Sequence, residues 1–201
     1  SKKNKIPWPT KKAMEQVYHI NLWGENNTAF YSGIGSHAPE IIIPYIDVVT
    51  QFLTSFKTPL TVCDLGCGDF NIGKQLVKHT KHYFAIDIVT ALIAHNKKTY
   101  KAPNLEFQSL DIAQNNLPKA DCAIVRQVLQ HLSNTEVKSI TKKLQHYKYV
   151  ILTEHIPEGQ FIPNKNIVSG QGIRLKKKSG INILATPFNF KVKEKKQLLS
   201  I

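Results

Sequence analysis

The sequence predicts an α/β fold, a doubly wound and mostly parallel sheet with helices on both faces. Three observations carry this. Apolar, β-branched segments alternate with helical ones from residue 60 onward. The first strand ends in an acid and runs into a turn with glycines at 66 and 68. A second strand ending in an acid follows about twenty residues later, the spacing of one β-turn-α-β unit.

The elements follow in order. Lys11 to Asn21 reads as a short helix, broken at Trp23-Gly24. Phe30-Tyr31-Ser32-Gly33-Ile34-Gly35-Ser36 reads as a loop with an aromatic tip. Ile42, Tyr45, Ile46, Val49, Phe52, Leu53 and Phe56 recur at helical spacing, with Pro39 and Pro44 near that helix's first turn. Residues 60–65 form the first strand, 83–87 the second, 105–112 the third, 121–126 the fourth and 147–153 the fifth. Helices are expected over 71–78, 90–97 and, behind the capping box Ser133-Asn134-Thr135-Glu136, over a stripe of Val137, Ile140 and Leu144. Residues 156–178 lack hydrophobic period, so a long loop is expected where substrate would approach. Residues 180–185 suggest a sixth strand. The expected organisation is a helical and loop cap over 1–57 on the same domain as a core over 58–201.

The chemistry gathers at the carboxyl ends of the strands, where open α/β sheets bind ligands. Gly66 and Gly68 let the backbone approach a ligand closely, and Asp87 is placed to accept hydrogen bonds from a ribose diol. Asn71 stands where a dinucleotide fingerprint needs its third glycine. The pattern Asp64-x-Gly66-x-Gly68 with Asp87 instead resembles motifs I and II of the class I S-adenosylmethionine-dependent methyltransferases, whose fold is Rossmann-like. Phe70 departs from it, since a third glycine is common there. The acid ending strand three, Asp111, and the histidine after strand four, His131, continue the resemblance. The segment Tyr31 to Ser36 is similar to ones ahead of motif I in small bacterial members.

The resemblance implies S-adenosylmethionine as cofactor and S-adenosylhomocysteine as product. It implies a cofactor site drawn from Tyr31, Gly33, Asp64, Gly66, Cys67, Gly68, Asp87, Ile88, Asp111, Ile112, Arg126 and Gln127. Tyr31 and its glycine neighbours are expected to close over the cofactor. His131 and His155 are the candidate general bases, because imidazole titrates near working pH, with Glu154 and Tyr31 behind them.

Composition bounds the rest. The 201 residues suit one domain. No apolar run approaches the ~20 residues of a membrane span, and no secretory leader is visible. The three cysteines, Cys63, Cys67 and Cys122, look like small buried residues, with no zinc set, so no metal and a reduced, cytoplasmic setting are expected. The net charge of +13 gathers in part at Lys2, Lys3, Lys5, Lys11, Lys12, at Lys176, Lys177, Lys178 and at Lys191, Lys193, Lys195, Lys196. It is read chiefly as solvated surface, with nucleic acid as the alternative partner. The expected activity is methyl transfer to oxygen or nitrogen of a small polar molecule or sugar. The alternatives are an RNA methyltransferase and an inactive cofactor-binding or regulatory subunit. Lys176 to Lys178 are expected to lie outside the pocket. The sequence does not indicate an oligomeric state.

Overall fold

A computed structural model describes residues 6–24 and 28–201; the lysines at 2, 3 and 5 lie outside the described residues. Five parallel strands form one sheet in the order β3-β2-β1-β4-β5. They are β1 (Thr61–Leu65), β2 (His82–Asp87), β3 (Leu105–Ser109), β4 (Cys122–Arg126) and β5 (Tyr149–Thr153). The helices are α1 (Thr10–His19), α2 (Pro39–Thr54), α3 (Gly73–Leu76), α4 (Thr90–Thr99) and α5 (Asn134–Leu144). The order reverses at β1, whose neighbours are β2 and β4, so β1 and β4 diverge at a crevice there.

Strand periodicity sorts side chains to two buried layers. On one face Cys63, Leu65, Ile86, Ala123 and Val125 pack with α1, α5 and the C-terminal segment. On the other Val62, Tyr83, Ala85, Cys122 and Ile124 pack with α2 and α3. Strands buried on both faces explain the continuous apolar runs. Pro39 sits in the first turn of α2, where no amide is needed. Before α5 the Ser133 hydroxyl accepts the Glu136 amide and the glutamate returns the bond, as the capping box requires. The helix expected over 71–78 shrinks to α3 followed by a 3-10 turn, Val77–His79.

Phe70 stands where the family pattern favours glycine, and its backbone is left-handed at φ 65°, a genuine outlier for a bulky residue. Its ring turns away from the crevice into the second layer, 4.8 Å from the Phe107 centroid and edge-on to Tyr83 and Tyr100. Gly73 makes the room: a Cβ there would lie 2.3 Å from the Phe70 ring.

The sixth strand expected at 180–185 does not form. Ile181 and Ile183 are buried, as an apolar run should be, but their backbone finds no ladder. The Asn164 side chain takes its place: it donates to Asn182 O (2.8 Å) and Thr186 O (2.9 Å) and accepts the Asn182 amide (2.9 Å). The loop before it is ordered around Arg174, the largest fully buried side chain. Removing the Asn164 side chain bares three backbone groups, each costing about 1–3 kcal/mol where water cannot reach. Asn164 has φ 59°, which glycine accepts without strain. Asn164→Gly is therefore expected to lower the urea midpoint by at least one such increment with the slope unchanged; an unaltered midpoint would show that the side chain is no brace.

Candidate active site

One cavity of about 460 Å3 opens at the strands' carboxyl ends, and its wall is predominantly apolar. Its wall takes the β1 turn, Asp87 at the end of β2 and Asp111 past the end of β3, and from the β4–β5 side Gln127, His131 and His155; Lys176 also lines it.

The β1 turn is built by glycine. Gly66 has φ 90° and Gly68 φ 55°. A Cβ on Gly66 would meet Val128 Cγ2 at 2.4 Å, and one on Gly68 would meet Ser32 Oγ at 2.5 Å. Asn96, fully buried on α4, donates to Gly68 O at 2.8 Å. Asp87 accepts from the amides of Gly68 (3.1 Å) and Val89 (3.0 Å). A carboxylate offers about four lone-pair sites, so each oxygen keeps capacity for a hydroxyl. Burial pushes the Asp87 carboxyl up despite those amides. Asp64 is buried beneath the turn, takes a bond from Tyr83 Oη at 2.8 Å and is pushed up to about 7 by burial. Asp111 lies past the end of β3, in a turn where it accepts the Ala113 amide.

The segment ahead of α2 is pinned onto this turn. Ser32 N donates to Asp69 Oδ2 and Asp69 N donates to Ser32 Oγ, both at 2.8 Å. Tyr18 Oη meets Ser32 Oγ at 2.9 Å and His37 Nε2 meets Asp69 Oδ2 at 2.6 Å. Gly33 joins the cavity wall. Tyr31, expected as a lid over the cofactor, does not: its ring rests on His37, centroids 4.6 Å apart. Arg126 lines the cavity, but its two terminal nitrogens donate to Gly35 O and Ser36 Oγ, its guanidinium lies over the Tyr45 ring, and its Nε is buried without a partner.

After β4 the chain turns through Gln127, at φ 56°, into a short 3-10 turn, Leu129–His131. Glu154, after β5, accepts the amides of Leu129 (2.8 Å) and Gln130 (3.1 Å). Burial pushes its carboxyl up to about 8. Arg174 grips the same turn from the other side, donating to the carbonyls of Leu129 and Leu132. His131 is 9% exposed, lies 5.2 Å from the Trp23 ring and is lowered to about 4, chiefly by burial. Gln130 fixes its tautomer. The Gln130 carbonyl accepts the His155 amide, so its NH2 faces His131 Nε2 at 3.4 Å. Nε2 then holds the lone pair, and Nδ1, which has no partner, carries the proton. His155 is exposed at the mouth, is lowered chiefly by burial, and its Nε2 faces the Gln127 amide at 3.1 Å.

Among the sequence-predicted residues, Gly33, Asp64, Gly66, Cys67, Gly68, Asp87, Ile88, Asp111, Ile112, Arg126, Gln127, His131 and His155 share this wall. Sequence reasoning missed Tyr18, Asn96 and Arg174, none of which lies in a segment it singled out for the site; Ser32 lies in the loop it did.

Residues 62–147 match the family model described as a methyltransferase domain. The match spans less than half of the chain, and it identifies that stretch as a class I S-adenosylmethionine-dependent methyltransferase domain. Solved structures agree on the fold of this methyltransferase. N-methyltransferase NodS from Bradyrhizobium japonicum, in complex with S-adenosylhomocysteine, matches at TM-score 0.55 and 17% identity over 67% of this chain and 68% of its own. Magnesium protoporphyrin IX methyltransferase from Synechocystis, with bound S-adenosylmethionine, matches at 0.54 and 16% over 84% and 83%. Phosphoethanolamine N-methyltransferase 1 of Haemonchus contortus matches at 0.55 and 15%, where the chain covers 34% of that longer protein. No curated protein matches the methyltransferase by sequence. No helix among the described residues is long and apolar enough to cross a membrane.

The raised carboxyls make stability depend on pH. The ordinary values are 4.5 for Glu154 and 3.8 for Asp64, and the folded values are about 8 and about 7. The folded state thus binds more protons than the unfolded one, and stability is lost as pH rises through the folded values. His131, lowered to about 4 from 6.5, acts oppositely but only below pH 6.5. From pH 6.5 to 8 the thermal midpoint is expected to fall, and Glu154→Gln should flatten that fall; a midpoint rising with pH there would contradict the assignment.

Proposed function

We propose that this methyltransferase alkylates an oxygen or nitrogen atom of a small polar molecule. The observation that carries the reading is the single cavity joining the β1 turn and Asp87 to Gln127, His131 and His155. Its size suits a cofactor with a small acceptor rather than a flat macromolecular surface. Two structurally similar enzymes are named for small acceptors, magnesium protoporphyrin IX and phosphoethanolamine.

Asp87 would hold the ribose hydroxyls, the Gly66–Gly68 turn would pass beneath the methionine part, and Asp111 with Ile112 would face the adenine. The cofactor supplies a sulfonium methyl that is already a good electrophile. What remains for the protein is to aim a nucleophile and exclude water. Trp23 and the apolar wall serve exclusion. The His131 ring adds to the wall that would confine the acceptor. The sequence reading made it a general base, but its Nδ1 is buried away from any ligand and its Nε2 faces the Gln130 amide. A group lowered to about 4 is also a weak base at neutral pH. His155 is the better placed proton acceptor: its value is lowered, so it is neutral at pH 7, and it meets solvent at the mouth, so the proton can leave once Nε2 exchanges its bond from the Gln127 amide for one from the acceptor.

Asp87→Ala should weaken S-adenosylhomocysteine binding about tenfold or more by calorimetry, since charge-assisted bonds to two hydroxyls are lost. Unchanged affinity would remove Asp87 from the cofactor site.

The two histidines separate by variant. His131 would act as wall, so His131→Leu should keep turnover within about tenfold; a loss of about a hundredfold would return His131 to the role of base. His155→Asn should lose about a hundredfold and abolish the acid limb of the kcat/KM profile. Activity measured on a pool of small hydroxyl and amine acceptors tests the whole reading, and transfer to RNA alone would refute it.

A further inference from the structure

The charges around the cavity do not balance at its acceptor end. Four acids line the wall, and each has its own partners. Asp64 takes Tyr83 Oη, and Asp87 takes two backbone amides. Asp111 takes the Ala113 amide, and Glu136 takes Ser133, Thr10 and Ser169. Two cations line it. Arg126 is committed to Gly35, Ser36 and the Tyr45 ring. Lys176 has no partner among the described residues, and it stands with His131, Gln171 and Ile173 on the wall.

The lysine triplet is thereby divided, against the expectation that all three lie outside the pocket. Lys177 Nζ is tied to Asn166 O at 2.7 Å. Lys178 is the exposed, left-handed residue that ends the turn. Only Lys176 reaches the cavity. Its backbone is held firmly. It belongs to the 3-10 turn Arg174–Lys177, and Arg174, 1% exposed, anchors that turn. The Arg174 guanidinium donates to Leu129 O (2.9 Å), Leu132 O (2.6 Å), Asn134 Oδ1 (2.7 Å) and Lys165 O (3.1 Å). One buried side chain thus fixes the His131 turn and the Lys176 turn to each other. Lys176 is itself exposed, so its charge stands at the mouth, where it can draw an anion toward the apolar wall behind it.

We infer that the methyl acceptor carries an acidic group, a carboxylate or a phosphate, and that Lys176 recognises it. The inference rests on the small-acceptor reading above and narrows it. Lys176 is a specificity-determining residue that leaves the methyl transfer itself to other groups.

The test uses matched acceptor pairs that differ in the acid: glucose and glucuronate, tyramine and tyrosine, ethanolamine and phosphoethanolamine. Methyl transfer from labelled S-adenosylmethionine is measured for the wild type, Lys176→Gln and Lys176→Arg, alongside an RNA pool at two salt concentrations. Calorimetry with S-adenosylhomocysteine accompanies each protein. The expected result is transfer to an acidic member at least about tenfold faster than to its neutral counterpart. The preference should be lost in Lys176→Gln and regained in Lys176→Arg, with S-adenosylhomocysteine affinity unchanged. Transfer to no acidic member, or a preference that survives Lys176→Gln, overturns the inference. So does weakened S-adenosylhomocysteine binding in Lys176→Gln, which would assign the lysine to the cofactor's carboxylate. Salt-sensitive transfer to RNA overturns it in favour of a nucleic acid acceptor. Wild-type protein that fails to bind S-adenosylhomocysteine would instead defeat the cofactor site on which the broader reading stands.

Discussion

The reciprocal bonds between Ser32 and Asp69 are the constraint on which the site depends. Each residue gives its amide to the other's side chain at 2.8 Å. The pair docks a segment that would otherwise be loose onto the turn that follows β1. Gly68 must lack a Cβ for this to happen, because the Ser32 hydroxyl occupies that space. The glycine therefore serves the protein's own loop as well as the approach of a ligand. His37 on Asp69 and Tyr18 on Ser32 extend the same network to the start of α2 and to α1. Through it α1 and the segment 32–36 become part of the cavity wall, with Trp23 brought against His131.

The opposite wall has a different anchor. The turn after β4 would be an irregular stretch with several unpaired backbone groups. Glu154 takes its amides and Arg174 takes its carbonyls. A buried arginine is costly unless its donors are satisfied, and here all three guanidinium nitrogens have acceptors. The two charged groups face each other across one turn, and burial displaces both from their ordinary values, Glu154 upward and Arg174 downward. The result is a rigid platform that fixes the His131 ring. Burial, with a smaller push from His155, then keeps that ring neutral.

The sheet was legible because its signals are local. Strand length, terminal acids and glycine turns are properties of short windows, and five strands and the capping box follow from them. The sixth strand was misread because an apolar run reports burial and says nothing of pairing. Residues 180–185 are buried at Ile181 and Ile183, but Asn164, some eighteen residues upstream, supplies the hydrogen bonds a ladder would have given. Phe70 misled in the opposite sense. A missing glycine suggested a perturbed cofactor contact, whereas the ring leaves the crevice for a pocket that Gly73 opens.

The sequence by itself determined the parallel α/β sheet, the glycine turn, the acids Asp87 and Asp111 at the strand ends, and the family to which they belong. These depend on backbone geometry that a few residue types permit. Tertiary structure decided which side chains face the cavity and in what chemical state. It turned Tyr31 aside onto His37, tied Arg126 to the loop, buried the His131 ring against Trp23 and left Lys176 on the cavity wall apart from its two neighbours. Most of these outcomes hang on contacts between residues far apart in the chain that no short window contains, and burial, which sets protonation, exists only once the chain has closed around them.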